Sequence, residues 1–418
     1  MPSTAMISPI FLVTLDTSEP LSCFRGTRTW LPLFCNGDED GKGEKVNRSS
    51  KRRKVVMILT AGIGITAMLG SAVTSFDKVA YANGTKESTS KQIVLKFANL
   101  EPPPSLFTKA FQWWASEIEK RTEGRLKIEI YSGGTLARPK SVIEAIAIGL
   151  ADAGEVVTVF NPGKTPLATV GQNPIGGSDI YANHKAMQDL INSYAPIQQE
   201  FEKFNQKPLW TQATGSQRLI AKRSIGTLDT LKGMKIRASA QMATLYKKLG
   251  AAPVFMPMAE TYEGLQRGTA EAASAGLSHM EPLRFHEVCK HLLMLEGIGV
   301  NNAGFGTINL NKWKMLPPDI QKVVIEVSNE FPASLSKNMM ESEKKILEAF
   351  RSADVKVYEL SDVDKKKLQE VGKEVAEMWV KSMEGKGLPG AETLKVFLGA
   401  ESKYQAEVNA KGYPWEKR

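Results

Sequence analysis

Hydrophobic positions along the first half of the chain follow two periods, one typical of strands and one typical of helices. Residues 93–99 (IVLKFAN) predict a strand, and Ser105 has the side chain of a helix N-cap just before residues 106–122, whose apolar positions recur at helical spacing. Residues 125–131 (RLKIEIY) alternate as a second strand, and residues 139–148 predict a second helix. This half therefore predicts a repeating strand–helix unit.

A second unit of the same kind begins near residue 234. Residues 234–238 predict a strand, Ser239 is placed as an N-cap, and residues 240–249 predict a helix with lysines in its last turn. Residues 253–256 predict another strand, and residues 260–267 another helix. Both units end on one signature, a glycine followed by any residue, alanine, an acid, alanine and a small residue, at 149–154 and at 268–273.

The repetition of this unit predicts the fold class. Alternating strands and helices form parallel sheets with right-handed crossovers, so two units predict two α/β lobes. Ligands of open α/β sheets bind outside the carboxyl ends of the strands. We therefore expect an α/β protein with two mainly parallel sheets, helices on both faces of each sheet, and a cleft between the lobes.

The last third of the chain predicts mostly helix. Apolar residues recur at helical spacing from Pro318, the pattern weakens at Pro332 and continues past Leu347, and one strand is predicted at 355–360. Residues 281–295 predict a further amphipathic helix that packs between the lobes. This amount of helix after both lobes predicts a long helix that braces them.

The same patterns predict the domain boundaries. Lobe 1 is predicted over residues 93–218, and lobe 2 over residues 219–308. A long helix at about 309–345 is predicted to return to lobe 1. The mostly helical residues from about 346 to 418 are predicted to return to lobe 2.

The N-terminal segment has the composition of an export signal. A basic stretch, KRRK at 51–54, precedes an apolar run at 55–76 and an A-x-A cleavage site at 80–82. We therefore predict a signal peptide over 51–82 and a periplasmic location, with an uncleaved membrane anchor as the alternative. Residues 1–50 have no clear periodicity, and either a start-site error or a disordered extension accounts for them.

Composition and charge exclude some classes of protein. The hydrophobic share of 42% and the charged share of 24% are typical of a soluble globular protein. The net charge of +9 comes in short runs such as 365–367, so we expect no nucleic-acid surface, although a mild positive field favours anionic small molecules. Of the three cysteines, Cys23 and Cys35 lie in the N-terminal segment, which leaves Cys289 without an internal disulfide partner.

One charged residue lies in a stretch that otherwise predicts a buried strand. Residues 231–239 (LKGMKIRAS) carry Arg237 near the end of that strand. Burying a guanidinium without a partner is costly, so this side chain needs an acidic group to face. Its position at the carboxyl end of a strand, where a cleft should open, predicts that a bound molecule supplies that group. A salt bridge to an internal acid is the alternative.

A set of short motifs carries a family resemblance. Seven segments occur in one order: TEGRLK (122–127), GLADA (149–153), NPG (161–163), LKGMKIR (231–237), LGAAP (249–253), ETYEGLQRG (260–268) and LPPDIQK (316–322). With them, the chain from about residue 93 to its C-terminus resembles the solute-binding proteins of tripartite ATP-independent periplasmic (TRAP) transporters, of the DctP type.

The resemblance implies both a fold and a function. It implies the two-lobed periplasmic-binding-protein fold, with crossing strands and a long helix that link the lobes, and closure of the lobes around a ligand. It implies an extracytoplasmic receptor that captures an organic acid and delivers it to the small and large membrane subunits of the transporter for secondary active uptake. Such a receptor does no chemistry itself and needs no cofactor.

The resemblance also implies which basic residues bind the ligand. In the family, the arginine of the K-x-R strand forms a bidentate salt bridge with the ligand carboxylate, and that position is Arg237. A planar guanidinium matches a carboxylate and stays charged. A second basic position of the family aligns with Arg223, with Arg218 as a nearby competitor. For both of these, a surface position or an ion pair between the lobes is the alternative.

Further ligand contacts are predicted near the ends of strands. Asn99 closes the first strand and either hydrogen-bonds the ligand or forms a turn. The other predicted contacts are Glu155 and Asn161 beside the third strand, Trp210 as a wall of the pocket, Met258 where some members place an aromatic ring, and Tyr262 one helical turn later.

Two positions depart from the family pattern. Ala275 and Ala240 stand where other members carry an asparagine, so this side of the pocket should be less polar. The departure favours a monocarboxylate with an apolar or aromatic body over a polyhydroxylated sugar acid.

Other functions fit the sequence less well. Residues 276–280 (GLSHM) resemble a nucleophile elbow but lack its second glycine, so we predict no enzyme activity and keep a secreted α/β hydrolase as a remote alternative. Three histidines and Cys289 within 279–291 cluster like metal ligands, but the helix predicted at 281–295 accounts for them, and we predict no metal site. The binding protein of an ATP-driven importer is the closest alternative, and the LKGMKIR and ETYEGLQRG segments argue against it.

Overall fold

The structure is a computed structural model that describes residues 91–238 and 240–416. The predicted signal peptide, the extension before it with Cys23 and Cys35, and the predicted N-cap Ser239 all lie outside these residues. None of the helices within the described ranges combines the length and the hydropathy of a membrane-spanning segment.

Five strands form the first sheet. They are β1 (Ile93–Ala98), β2 (Leu126–Tyr131), β3 (Ala153–Val157), β4 (Gln206–Ser216) and β10 (Val300–Asn309). Their order across the sheet is β2–β1–β3–β10–β4. Only β10 runs against the common direction, because it is antiparallel to both β3 and β4 whereas β1 is parallel to β2 and β3.

Six strands form the second sheet. They are β5 (Arg218–Ala221), β6 (Lys235–Arg237), β7 (Ala252–Val254), β8 (Ala272–Ala275), β9 (His291–Met294) and β11 (Lys356–Glu359). Their order is β11–β9–β5–β8–β6–β7. Here β5 is the one antiparallel strand, paired with β8 and β9, and the other pairs are parallel.

Helices surround both sheets. The α-helices are α1 (Leu106–Arg121), α2 (Val142–Ala147), α3 (Ile180–Ser193), α4 (Ala195–Glu202), α5 (Ala240–Lys248), α6 (Thr261–Arg267), α7 (Leu277–Met280), α8 (Phe285–Val288), α9 (Leu310–Met315), α10 (Pro318–Ser352), α11 (Asp362–Glu384) and α12 (Gly390–Lys411). Short 3-10 helices lie at Thr158–Phe160, Leu167–Gln172, Leu228–Leu231 and Met258–Glu260.

The first helix shows how the hydrophobic pattern and its cap determine local structure. The Ser105 hydroxyl accepts a hydrogen bond from the Thr108 amide at 3.0 Å, which confirms the predicted N-cap. One face of α1 buries Phe107, Phe111 and Trp114 against the first sheet and α10. The apolar period of this helix therefore sets which face enters the core of lobe 1.

The long helix α10 joins the cores of the two lobes. Its first part contributes Val324 and Phe331 to the core of lobe 1, whereas Ile346 and Phe350 pack into a core of lobe 2. The helix runs unbroken for 35 residues, and Pro332 lies inside it. One continuous helix thus braces both lobes.

Three segments differ from the sequence prediction. β10 lies in the first sheet, although its residues were predicted in lobe 2, and α12 packs on lobe 1, where Phe397 shares a core with Met187 of α3. Residues 281–295 do not form one helix but the short α8 and then β9, a central strand between β5 and β11. The two leucines of β9 are fully buried. The helix was predicted because the apolar run of a short buried strand cannot be distinguished by periodicity from that of a buried helix.

The two sheets meet at their carboxyl edges. β4 is parallel to β3 and ends at Ser216, so Ser216 marks the carboxyl edge of the first sheet. β5 begins at Arg218, which pairs with Ala275, the last residue of β8, at the carboxyl edge of the second sheet. A single residue, Gln217, links these two edges. The carboxyl ends of the parallel strands in both lobes therefore face one cleft.

Candidate ligand-binding cleft

Arg237 ends β6 at this cleft and is buried, with 6% of the residue exposed. Its Nε donates a hydrogen bond to the Met256 carbonyl and its Nη1 donates one to the Ser274 carbonyl, both at 3.2 Å. No acidic residue in the described part of the chain forms an ion pair with it, and burial lowers the pKa of Arg237 to about 10. The guanidinium therefore stays charged at neutral pH, without a counterion among the described residues.

A chain of buried hydroxyl and amide groups holds the strand that supports Arg237. The Tyr246 hydroxyl donates to the Ser274 hydroxyl at 3.1 Å, which in turn donates to Gln217 Oε1 at 3.2 Å. Tyr246 is fully buried, and its burial raises the pKa of the phenol, which keeps it a hydrogen-bond donor. This network fixes the carbonyl group that accepts from Arg237, so the direction of the guanidinium is set before any ligand arrives.

The second arginine at the cleft edge is Arg218, not Arg223. Arg218 is 8% exposed, its Nη1 donates to the Gln217 carbonyl, and its Nη2 lies 3.9 Å from Glu343 Oε2 on α10. Burial lowers the pKa of Arg218, and burial raises the pKa of Glu343. The pair is long for an ion pair, which leaves Arg218 Nε and Glu343 Oε1 without hydrogen-bond partners among the described residues.

The structure places Arg223 away from the cleft edge. Arg223 is exposed, donates from Nη1 to the Thr230 carbonyl at 3.0 Å, and lies 3.7 Å from Glu271 Oε1. Because β5 is antiparallel to β8, each step along β5 leads away from the cleft, and Ala221 already pairs with the first residue of β8. Arg223 therefore lies beyond the opposite edge of the sheet from Arg237.

Two predicted contacts on lobe 1 use their polar atoms within the protein. Asn99 donates to the Thr108 and Ser132 hydroxyls at 2.8 and 3.0 Å, and its Oδ1 accepts from the Glu101 amide. Asn161 donates to the Pro139 carbonyl at 2.9 Å. Asn99 is therefore the turn-forming residue of the two alternatives.

Asn161 also accepts a hydrogen bond from the Lys164 Nζ at 3.2 Å. Both asparagines shape the loops at the carboxyl edge of the first sheet. Any contact with a ligand would have to replace one of these internal hydrogen bonds.

The carboxyl group of Glu155 lies at the same edge and is fully buried. Its Oε2 accepts a hydrogen bond from the Leu100 amide at 3.1 Å, and the Gln212 side chain also interacts with the carboxyl. Burial, and then the neighbouring Glu101, raise the pKa of Glu155 well above its usual range, and the Leu100 amide and the Gln212 side chain offset this only in part. Burial also raises the pKa of Glu101 to about 7.

The structure places Trp210, predicted as a wall of the pocket, in the core of lobe 1. Its ring is fully buried in the core of lobe 1 and stacks on Phe331 at 4.5 Å and on Phe111 at 4.9 Å between ring centroids. This face of β4 points toward α1 and α10 instead of the cleft. On β10, the paired residue is Gly306, where an added Cβ would lie 2.0 Å from the indole, so only glycine leaves room for this ring.

The two remaining predicted contacts lie after β7. Met258 begins a 3-10 helix, is partly buried and packs against the core of lobe 2 that includes Met256, whose carbonyl accepts from Arg237. The Tyr262 hydroxyl donates to Glu287 Oε2 at 3.2 Å. A ligand contact for Met258 stays a prediction, whereas the Tyr262 hydroxyl already has a partner in the protein.

His279 is a cleft residue that the sequence reasoning assigned only to a helix face. It lies on α7, directly after β8, and its ring contacts the ring of Phe107 on lobe 1 with 5.4 Å between centroids. Burial and then the Arg237 guanidinium lower the pKa of His279 to about 4, so the imidazole is neutral at neutral pH. Its Nδ1 has no partner among the described residues. The signal that could have found it is its place just beyond a strand's carboxyl end.

A cavity of about 470 Å³ lies next to this region. It is lined by residues of both lobes and of α11, including Gln172, Gln241, Phe255 and Trp379. Gln241 Nε2 donates to the Thr169 carbonyl across the lobes at 3.4 Å. In the parts of the chain that the structure describes, no three His, Cys, Asp or Glu side chains are grouped closely enough to hold a metal ion.

Comparison with known families identifies the fold and the class of protein. The family model of bacterial extracellular solute-binding proteins, family 7 (DctP), matches residues 97–382. This chain belongs to that family. The match spans both sheets and the long helix, which confirms the resemblance carried by the seven sequence segments.

Two curated relatives are named as periplasmic binding proteins. The 2,3-diketo-L-gulonate-binding periplasmic protein YiaO of Escherichia coli K12 is 26% identical over 287 residues, which cover 66% of this chain and 83% of the relative. The C4-dicarboxylate-binding periplasmic protein DctP of Rhodobacter capsulatus is 25% identical over 275 residues, which cover 63% and 79%.

Solved structures confirm the two-lobed α/β fold. A TRAP periplasmic solute-binding protein from Desulfovibrio salexigens is 28% identical and superposes with a TM-score of 0.68, covering 77% of this chain and 97% of the other. A TRAP solute-binding protein from Rhodoferax ferrireducens, crystallised with copurified benzoate, is 22% identical with a TM-score of 0.69, covering 76% and 100%. The DctP-family chain described here thus has the architecture of TRAP receptors.

Proposed function

We propose that this DctP-family chain is an extracytoplasmic receptor that captures an organic acid between its lobes and delivers it to the small and large membrane subunits of a TRAP transporter. One observation carries the ligand class: Arg237 is buried at the cleft and is not paired with any acid of the described chain. Charged groups are almost never buried unless they are paired. A ligand carboxylate supplies the missing charge.

The geometry of Arg237 suits this task. Two of its nitrogens donate to the carbonyls of Met256 and Ser274, which fixes the plane of the guanidinium, and Nη2 has no acceptor among the described residues. A planar, pre-oriented donor loses little side-chain entropy when it binds a carboxylate. Closure of the lobes removes water from the pair, and the attraction between the two charges increases as the local dielectric constant falls.

Relatives and neighbours support an acid as the ligand. Solved TRAP receptors with TM-scores of 0.65 and 0.67 hold orotic acid and mandelate, and another holds benzoate. All three molecules carry a carboxylate. The curated relatives are named periplasmic proteins, so we also propose that the segment 51–82 is a signal peptide that exports this chain to the periplasm.

Matched acids and amides test the proposal. Thermal unfolding of the dialysed protein is measured with benzoate, mandelate, pyroglutamate and orotate, and with the amide of each. An acid at one hundred times its Kd should add about 2.7 kcal/mol to the free energy of unfolding, and its amide should add much less. Equal stabilisation by acid and amide, or no response to any acid, would contradict carboxylate binding.

Two variants assign the site. Arg237→Ala should lose the response to every acid, because it removes the buried charge. Arg223→Ala is the matched control, since this exposed arginine lies at the other edge of the sheet and should keep the full response. Equal losses in both variants would argue for a diffuse electrostatic effect instead of a salt bridge.

A further inference from the structure

The cavity of about 470 Å³ lies between the carboxyl edges of the two sheets. Val159 and Pro162 line it on lobe 1 and follow the end of β3, and Phe255 lines it on lobe 2 as the first residue after β7. Helix α11 forms a third wall with Met378 and Trp379. Its volume is within the range of small-molecule sites, about 300–1,000 Å³. Two strand edges of the kind at which α/β proteins bind ligands therefore border one space.

The strand pairing places Arg237 beside this cavity. β6 and β7 are parallel with Arg237 opposite Val254, so Phe255 is the next residue at the same edge. Arg237 Nε donates to the carbonyl of Met256, which directly follows Phe255. Gln241, in the first turn of the helix after β6, also lines the cavity. Backbone pairing thus holds the guanidinium next to the cavity wall.

Large apolar side chains form much of this wall. Phe255 is 71% exposed and Met378 is 49% exposed, although proteins usually bury side chains of this kind. Both border the same space as Val159, Val375 and Trp379, so the exposed apolar surface is contiguous. Contiguous exposed apolar surface in a concave site is typical of ligand binding.

The polar groups at the cavity are largely engaged within the protein. Thr169 Oγ1 accepts from Trp379 Nε1 at 2.8 Å, and the Thr169 carbonyl accepts from Gln241 Nε2 at 3.4 Å. The amide oxygens of Gln172 and Gln241 have no partner among the described residues, but both are buried within the wall. Of the described residues that line the cavity, none is acidic and only Lys386 is charged. A polyhydroxylated molecule would leave buried hydroxyls unpaired here, which is costly.

We propose that the cargo is an acid with an extended apolar body, which lies in this cavity against Phe255 and Met378 while its carboxylate binds Arg237. The inference rests on the proposed receptor function and narrows its ligand class. The sequence favoured an apolar cargo body from Ala240 and Ala275, and the cavity gives that body a place. Closure of the lobes removes the apolar walls and the cargo body from water together, which favours the closed form.

The chain length of the ligand tests this inference separately from the receptor function. Isothermal titration compares butyrate, hexanoate and octanoate, each with its amide. Burial of each added methylene should tighten binding about fourfold, so octanoate should bind roughly 100-fold or more tightly than butyrate. Affinities that do not depend on chain length would overturn the cavity inference and leave carboxylate binding intact. Acids that bind no better than their amides would overturn the receptor proposal.

A polyhydroxylated acid of the same length gives a second measure. Gluconate and hexanoate have the same number of carbon atoms, but gluconate carries hydroxyl groups along its chain. We expect hexanoate to bind more tightly, because the walls offer apolar contacts and few free hydrogen-bond partners. Equal or tighter binding of gluconate would contradict an apolar cargo body.

Variants then assign the wall. Phe255→Asn and Met378→Gln should each reduce the gain per methylene and keep the preference for acid over amide. Both side chains are exposed, so both variants should fold. Met315→Gln is the matched control, because this exposed methionine on α9 does not line the cavity and its loss should leave the full chain-length dependence. An unchanged dependence in both cavity variants, or an equal loss in Met315→Gln, would overturn the assignment.

Discussion

Replacement of Arg237 by methionine should make the ligand-free protein more stable and abolish carboxylate binding. The pKa of Arg237, about 10, lies roughly 2.5 pH units below that of an exposed guanidinium, so burial of the charge costs the ligand-free fold about 3 kcal/mol. Methionine has a similar length and no charge. The substitution also removes the two hydrogen bonds to the Met256 and Ser274 carbonyls. The loss of each bond costs about 1 kcal/mol and offsets part of the stability gained by removing the buried charge. The expected net gain is about 1 kcal/mol.

Urea unfolding at pH 7, followed by circular dichroism on dialysed protein, measures this gain as a higher midpoint with an unchanged m value. At this pH the arginine is charged in both the folded and the unfolded state, so the full cost of burial is present. Arg223→Met is the control, because a change at this exposed position should alter stability by no more than about 0.5 kcal/mol. A loss of more than about 2 kcal/mol in Arg237→Met would refute the reasoning and make the arginine a structural residue.

Two further predictions concern residues away from the bound ligand. Trp210→Ala should lower the free energy of unfolding by about 3–5 kcal/mol, because its ring fills the core of lobe 1. The folded variant should keep its affinity for acids in titration. A loss of affinity without a loss of stability would instead indicate that the indole contacts the ligand. Burial raises the pKa of Glu200 from 4.5 to about 7, so the folded state binds the carboxyl proton more tightly than the unfolded state. The stability of the wild-type protein should therefore fall as the pH rises from about 4.5 to about 7. Glu200→Gln should flatten that part of the stability profile, and parallel profiles for the two proteins would contradict the assignment.

The sequence predicted elements well wherever one local pattern determined them. Ser105 before an apolar helical period gave the capped helix α1 close to its observed bounds. The alternating run RLKIEIY gave β2, and the position of Arg237 before a new helix gave its place at a strand's carboxyl end. These features depend on contacts between near neighbours in the chain, which periodicity, caps and turns record directly.

Only the tertiary structure decided which distant residues meet. The antiparallel register of β5 puts Arg218 at the cleft and carries Arg223 to the opposite edge, and no local pattern contains that register. Trp210 belongs to the core because α1 and α10 both pack on its side of β4.

For the same reason, local sequence motifs did not reveal the other residues at the cleft. His279 was not predicted as a cleft residue, since its unpaired ring nitrogen and its contact with Phe107 become visible only when both lobes are assembled. The sequence by itself determined the two strand–helix units, the family and the position of Arg237 at a strand's carboxyl end. The pairing of strands far apart in the chain decided which other charges share the cleft with it, because burial and partner distances are properties of the folded chain.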